Sequence, residues 1–167
     1  LLRYLHVTVK ADLSHINSLS RIAKEQFMNL DATAVRNLEL IKNMRDGSKR
    51  GTLLDVLDFT STSMGARKLR NWIECPLLDL SQIRSRQEAV GELLTNVQMR
   101  GNLQDKLKAI FDLERIVSRI EVGSANARDL VSLRSSLAVL PEIKSLLRYC
   151  NSKLLQQLCE DVHLHQE

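Results

Sequence analysis

Apolar residues recur at steps of three and four along most of this chain, which is the period of one face of an α-helix. Six Gly, two Pro and 4% aromatic residues leave little material for frequent turns or long strands. The longest periodic run predicts the seam between two packed helices, and it comprises Leu80, Ile83, Gln87, Val90, Leu94 and Val97. We therefore predict an all-α bundle of about six to eight helices, forming one domain over residues 1–167.

The first third of the chain is less regular than the rest. Residues 1–16 are predicted to form a helix whose apolar face comprises Leu2, Leu5, Val9, Leu13 and Ile16. The helical period is lost after residue 16, and Asp31 then caps a brief helix. A short strand pair near residues 17–35 is the one β element that this pattern allows.

Turn and cap residues divide the remainder into helices. Two glycines and small polar side chains predict a loop at residues 46–51, followed by a short helix over 52–58. The hydroxyls of residues 60–62 can cap a helix that ends at Pro76. Gly123 ends another helix, Ser124 or Asn126 caps the next, and Pro141 is predicted in the first turn of a further one. The last apolar stripe comprises Leu154, Leu155, Leu158 and Val162.

Charge and cysteine content narrow the setting in which the protein works. A net charge of +4 suits a protein that works near nucleic acid, although an excess of this size is weak evidence. Three cysteines without a C-x-x-C motif favour a reducing interior, and no run approaches the length of a membrane helix. The start at Leu1, without Met, suggests a segment excised from a longer protein. We expect a bacterial cytoplasmic protein, or a nuclear one if the source is eukaryotic.

The sequence predicts no catalytic site, bound cofactor or metal ion in this chain. It lacks G-x-x-x-x-G-K-[ST], the motif whose backbone amides and lysine hold nucleotide phosphates. Cys159, His163 and His165 cluster near the end, but a structural zinc site needs a fourth ligand that is not evident. Asp112 and Glu114 are better explained by the preference of helix N-termini for negative charge than by acid–base chemistry.

The densest basic region comprises Lys49, Arg50, Arg67, Lys68 and Arg70. These side chains could contact the phosphate backbone of DNA, and such binding would weaken steeply with salt. Alternatively, they form the polar face of an amphipathic helix and its neighbouring loop, with Glu74 or Asp58 as partners. The scarcity of aromatic residues argues against a platform on which single-stranded bases stack. We favour the structural interpretation over the DNA contact.

Three separated motifs resemble the core domain of the MutS family of DNA mismatch-recognition ATPases. The first is FMNLDAT at residues 27–33 followed by RNLEL at 36–40. The second comprises GTLL at 51–54, VLD at 56–58, Thr60, Thr62, MG at 64–65, Arg67, LR at 69–70, Trp72 and PL at 76–77. The third comprises DLERI at 112–116, SRI at 118–120, Gly123, RDL at 128–130, Leu133 and LP at 140–141. Tyr4-Leu5 and His15-Ile16 also resemble the helix that leads into that core, so the similarity covers nearly the whole chain.

The resemblance implies a core and lever segment, with residues 1–16 as a lead-in helix, that stops before the inserted DNA clamp. In such a protein the lever couples an ATPase domain to the clamp. The parent would be a DNA-dependent ATPase that uses ATP and Mg, binds mismatched double-stranded DNA as a homodimer and works with a MutL-type partner. Neither the Phe-x-Glu mismatch wedge nor the nucleotide motif occurs here. Residues assigned structural roles by the motifs are Asp31, Arg36, Asn37, Asp58, Gly65, Arg67, Trp72, Arg119 and Asp129.

Two other functions are compatible with a helical bundle. A stand-alone scaffold would present a helical seam to a protein partner and would need no DNA contact. An autonomous DNA-binding module would use the basic region and bind duplexes in a salt-sensitive manner. The motif match favours the MutS core over both. Such a segment, separated from its remaining helices, would leave an apolar stripe uncovered on residues 2–16 or 154–162.

Overall fold

The computed structural model describes residues 26–164, and they form eight α-helices with no strand among them. The helices are α1 (Ala32–Asn37), α2 (Leu53–Leu57), α3 (Ser63–Glu74), α4 (Leu80–Thr95), α5 (Val97–Lys108), α6 (Leu113–Glu121), α7 (Ala127–Leu147) and α8 (Lys153–Asp161). The predicted all-α fold is confirmed. The predicted helix over residues 1–16 lies outside the described residues. Within the described range, no helix is long and apolar enough to cross a membrane.

The predicted strand pair near residues 17–35 is not formed by the described part of that range. Phe27 makes a single antiparallel bridge with Leu77, and the Met28 amide donates to the Pro76 carbonyl at 2.8 Å. Residues 17–25 lie outside the described residues. The extended segment before α1 therefore pairs with the chain that follows α3, about fifty residues further on, and not with a close neighbour in sequence.

Local capping explains where several helices begin. The side chains of Asp31, Thr52, Thr62 and Asn126 each accept a hydrogen bond from a backbone amide in the first turn of α1, α2, α3 and α7, respectively. These bonds satisfy amides that have no partner within the helix. Gly123 follows α6 with φ of +72°, a conformation that glycine adopts without strain. The sequence predicted Asp31 and Gly123, placed the α3 cap within residues 60–62 and offered Asn126 as one of two α7 caps; Thr52, predicted as part of the short helix over 52–58, is its cap.

The buried core lies in the second half of the chain, where α4, α5, α7 and α8 pack together. Its fully buried members are Ala89, Met99, Ile143, Leu147, Cys150 and Leu155. The predicted stripe on the last helix is confirmed only in part, because Leu154 and Leu155 face this core while Leu158 is 46% exposed. Cys159 packs against the core in its place. Residues 26–79 contribute no member to this core.

Within residues 26–164, no helix covers the face of α4 that carries the predicted seam. Leu80, Val90, Leu94 and Val97 are 62–66% exposed, whereas Ala89 is buried and Leu93 packs against the core. The helix carries apolar residues on two faces, and the sequence pattern cannot tell which of them meets a neighbour. Asn96 ends α4 and caps α5, so Val97 begins a new helix and does not extend the stripe.

Pro141 does not begin a helix; it lies inside α7, which runs without a break over 21 residues. Proline removes the hydrogen bond to the carbonyl four residues earlier, which here belongs to Leu137. Pro141 is exposed and Leu137 is 38% exposed, so solvent can hydrate that carbonyl. Because α7 is capped at Asn126 and buried on its other face, packing outweighs the local cost of the proline.

Candidate functional site

The most developed polar site joins the two halves of the described chain. Arg67 on α3 extends its guanidinium to Asp112, with Nη1–Oδ2 and Nη2–Oδ1 distances of 2.7 Å each. Nη2 also donates to Glu114, and the Ser63 hydroxyl donates to Asp112 at 3.0 Å. We call this set of four residues, Ser63, Arg67, Asp112 and Glu114, the α3–α6 junction. A two-pronged guanidinium–carboxylate pair fixes orientation as well as distance.

Asp112 has two roles in this junction. It caps α6 by accepting from the Arg115 amide, and it receives both prongs of Arg67. Its side chain is 18% exposed and that of Arg67 is 39% exposed, so solvent screens the pair only in part. The Arg67 guanidinium holds the pKa of the Asp112 carboxyl well below its ordinary value. The carboxylate is therefore charged across the physiological pH range, so its pairing with Arg67 does not change with pH there.

A second fork holds the beginning of α7 against α6. Arg119 donates to Asp129 through Nε at 3.1 Å and through Nη2 at 2.6 Å. The same carboxylate accepts from the Asn126 amide and completes the capping box of α7. The pKa of Asp129 is lowered, first by Arg119 and then by that amide. The two forks together connect α3, α6 and α7 in series.

A carboxylate in α4 caps the last helix from outside. Glu92 accepts from the backbone amides of Asn151 and Ser152 at 2.6 and 2.7 Å. Ser152, the N-cap residue, makes no side-chain capping bond of its own, and Glu92 instead holds the backbone just before the first turn of α8. These amides lower the pKa of Glu92, since they stabilise its charged form. The sequence analysis missed this cap, because a contact over about sixty residues leaves no local signal.

The predicted basic region is largely neutralised. Lys49 pairs with Asp58, Arg70 with Glu74, and Arg67 with the α3–α6 junction. Among the described residues, Arg50 and Lys68 have no carboxylate partner within 4.0 Å. The structural interpretation thus accounts for three of the five side chains, and Asp58 and Glu74 are the partners that the sequence indicated. DNA contact by the five residues of the basic region stays a prediction.

Asp58 closes the loop that carries Lys49 and Arg50. It also accepts from the Thr60 hydroxyl at 2.6 Å, and Lys49 together with Thr60 lowers its pKa to about 2. Thr52, 1% exposed, donates to the Lys49 carbonyl at 2.6 Å and so fixes the loop from within. The loop is held in place by neutralised charge and a buried hydroxyl.

The motifs that resemble the MutS core also assign structural roles to residues in α1 and α3, and these residues differ in their contacts. Asp31 accepts from the Ala34 amide at 2.6 Å and so caps α1, whereas Arg36 and Asn37 are exposed in its last turn. A Cβ on Gly65 would lie 3.0 Å from the Thr62 hydroxyl oxygen, so a larger residue would crowd the α3 cap. Trp72 carries the Arg86 guanidinium 3.9 Å above its ring, which is a cation–π contact between α3 and α4.

Metal-ligating side chains do not gather anywhere in residues 26–164, where no group of three His, Cys, Asp or Glu could hold an ion. Cys159 lies on the inner side of α8 and its thiol is 3.5 Å from the Lys144 carbonyl oxygen. His163 is exposed beyond the end of that helix, and His165 lies outside the described residues. The described part of the chain holds its helices together and presents no assembled catalytic group.

Acid is expected to weaken the fold through its paired carboxylates. The pKa values of Asp112 and Asp58 lie below their ordinary value of 3.8 in the folded protein. A lowered pKa contributes stability that is complete above the unfolded value and is lost as the pH falls through the folded one. The free energy of unfolding should therefore decline between about pH 5 and pH 2, as measured by urea denaturation at a series of pH values.

A matched variant isolates the contribution of the junction to this acid response. Arg67→Met keeps an unbranched apolar side chain like the aliphatic part of arginine but removes the charge that lowers the pKa of Asp112. Its stability should depend less steeply on pH than that of the parent below about pH 4. Parallel pH profiles for the two proteins would contradict the assigned cause.

Comparison with known proteins shows which family this sequence resembles. Residues 33–166 match the family model described as MutS domain III. The chain is 47% identical over 163 residues to the DNA mismatch repair protein MutS of Symbiobacterium thermophilum, covering 98% of this chain and 19% of the relative. It is 50% identical over 147 residues to that of Pelotomaculum thermopropionicum, covering 88% of this chain and 17% of the relative. The chain thus spans about a fifth of the length of these curated relatives.

Proposed function

Because this chain belongs to the MutS family through its domain III, we propose that it is the core and lever segment of a mismatch-binding ATPase. In this role it couples an ATPase domain to a DNA clamp, both of which lie elsewhere in a longer protein. We assign residues 1–167 to one helical core domain, with residues 1–16 as its lead-in helix and its end before the clamp insertion. The observation that carries the proposal is the α3–α6 junction.

The segment does no chemistry of its own in this proposal. ATP and Mg would bind in another domain of the parent, a DNA-dependent ATPase, since the sequence here lacks the phosphate-binding motif. Mismatched double-stranded DNA, a second copy of the parent and a MutL-type protein are the proposed partners. The relatives are bacterial proteins named for DNA mismatch repair, which supports a place in the bacterial cytoplasm.

The mechanical role follows from how the helices are joined. A force applied to α3 reaches α6 through the two prongs of Arg67, and it reaches α7 through the fork between Arg119 and Asp129. Charged, forked contacts resist both rotation and separation, whereas an apolar contact alone permits sliding. Coupling then requires that this linked unit shift as one body between two states, so that each ligand favours one of them.

Glycine substitutions in α4 test the proposal in the full-length protein. Arg84 and Glu88 are exposed on α4, outside its buried contacts. Replacing both with glycine costs about 1 kcal/mol of helix stability at each position. It loosens α4, which contacts α3 through Arg86 and Trp72 and packs in the main core through Ala89. We expect ATP-induced release of a fluorescent mismatched duplex to slow, while the separate affinities for nucleotide and DNA stay nearly unchanged.

The matched control replaces the same two residues with alanine. Alanine removes the same side chains but keeps the helix stiff, so release should remain close to that of the parent. If the glycine and alanine proteins release DNA equally fast, α4 does not transmit the nucleotide signal and the lever role is wrong.

A further inference from the structure

The outer face of α4 is an apolar surface that the described residues leave uncovered. Leu80, Val90 and Leu94 along it are 65–66% exposed. From Leu80 to Leu94, through Ile83, Gln87 and Val90, the spacing alternates between three and four residues, as it does where one helix packs along another. Contiguous apolar surfaces of this kind mark places where another element packs.

A cavity of about 580 Å³ lies at the base of this surface. Trp72, Pro76 and Leu77 form one wall of the cavity, and α4 forms the other. The cation–π contact of Arg86 with Trp72, 3.9 Å from the ring centroid, joins the two walls. The cavity is therefore a preformed groove between α3 and α4, with apolar side chains on both sides.

The chain enters the described structure directly beside this groove. The Leu78 amide donates to the Gln26 carbonyl at 3.2 Å, and Phe27 forms its bridge with Leu77, which itself lines the cavity. The described chain therefore begins, at Gln26, beside the groove. Within residues 1–25 lies the predicted helix with the apolar stripe Leu2, Leu5, Val9, Leu13 and Ile16.

We propose that the outer face of α4, with its groove, is the docking site for residues 1–16 of this same chain. A helix of that length is about 24 Å long, which matches the sixteen residues of α4. The nine residues 17–25 span up to about 30 Å, enough to place either end of the helix over α4. Attachment to the same chain gives this segment a high effective concentration, which favours it over a second copy.

This docking does not depend on the coupling role. It assigns the apolar face of the first helix to a surface within the chain. It also explains why a seam-like stripe on α4 is exposed among residues 26–164. The stripe needs a helical partner, and the nearest candidate by attachment is the segment that arrives at Gln26.

The tryptophan content of the chain gives a direct test. Trp72 is the only tryptophan, is 41% exposed and lines the groove. Acrylamide quenching and the emission maximum are measured on the full chain of 167 residues. Val9→Asp places a charge in the proposed interface, and we expect stronger quenching and a shift of the emission to longer wavelength. Val7→Asp is the same change about 200° away around the helix, and it should leave both signals at their parental values.

The reciprocal change is Leu94→Asp on α4, with Leu130→Asp on α7 as its control, because both leucines are exposed, neither is in the core and neither lines the cavity of Trp72. Leu94→Asp should reproduce the Val9→Asp effect, and Leu130→Asp should not. Far-ultraviolet circular dichroism checks folding; if Val9→Asp unfolds the chain, the Leu94→Asp result tests the proposal in its place.

Two results would overturn the proposal. In the first, quenching of Trp72 is unchanged by both Val9→Asp and Leu94→Asp. In the second, the shielding of Trp72 in the parent disappears on dilution in step with the loss of a dimer in light scattering. A second copy would then occupy the face.

Discussion

Replacing Leu147 with alanine is expected to lower the free energy of unfolding by about 2–5 kcal/mol. Leu147 is 6% exposed and packs in the cluster that contains Ile143, Cys150 and Leu155. Its removal leaves a cavity where α7 meets α5 and α8, which the surrounding helices fill only in part. Since a domain of this size has about 5–15 kcal/mol of stability, a large share would be lost. Urea denaturation followed by circular dichroism measures the change.

The control lies on the same helix. Leu130 is 53% exposed near the start of α7, so Leu130→Ala removes the same atoms from a site that is already largely hydrated. Its effect should stay within about 0.5 kcal/mol. If both variants lose the same free energy of unfolding, Leu147 does not belong to the core that we assign to residues 89–159.

Reversing the charge at Arg67 is expected to detach α3 from the bundle without unfolding the bundle itself. Arg67→Glu would bring a third carboxylate beside Asp112 and Glu114, so attraction becomes repulsion. Residues 26–79 contribute nothing to the main core and would lose their forked link to it. Hydrogen exchange should then become faster for the amides of α3 while those of α7 stay protected.

Two further variants show whether the link itself is responsible. Arg70 pairs with Glu74 within α3, so Arg70→Glu changes the same charge on the same helix without touching the junction. It should leave exchange in α3 close to the parental rate. Exchanging the partners, with Arg67→Asp and Asp112→Arg in one protein, should restore part of the protection. Unchanged exchange in Arg67→Glu would show that the junction does not hold the halves together.

Short-range signals in the sequence predicted the helix ends well. Thr62 and Asn126 cap helices because their side chains reach an amide three residues away. The number and spacing of the cysteines and the lack of a nucleotide-binding motif can also be determined from the sequence alone. The Lys49–Asp58 pair was within reach of the sequence too, since only nine residues separate its members.

The sequence pattern did not predict contacts between residues that are far apart in the chain. Arg67 and Asp112 are 45 residues apart, and nothing near either residue indicates the other. The pattern on α4 is apolar on two faces, so it could not decide between Ala89 and Val90 as the buried position. Pro141 was placed at a helix start because local rules disfavour it elsewhere. In each case a contact with a distant segment decided the outcome.

The functional assignment came from a different kind of signal. Periodicity and charge alone lead only to a mildly basic helical bundle, since helices of this composition serve many purposes. The ordered motifs at residues 27–40, 51–77 and 112–141 carried the family, which the match over residues 33–166 confirms. Among the motif residues, Asp31 caps a helix, and Arg67, Trp72, Arg119 and Asp129 make contacts between helices.

The most direct test of the coupling role is a double-mutant cycle on ATP-driven DNA release. The full-length protein carries Arg67→Met, Asp112→Asn or both, and the measured quantity is the ratio of mismatched-duplex affinities without and with ATP. If the α3–α6 junction transmits the nucleotide signal, each single change reduces this ratio and the double change reduces it little further. A ratio equal to the parental one in all three variants would contradict the account.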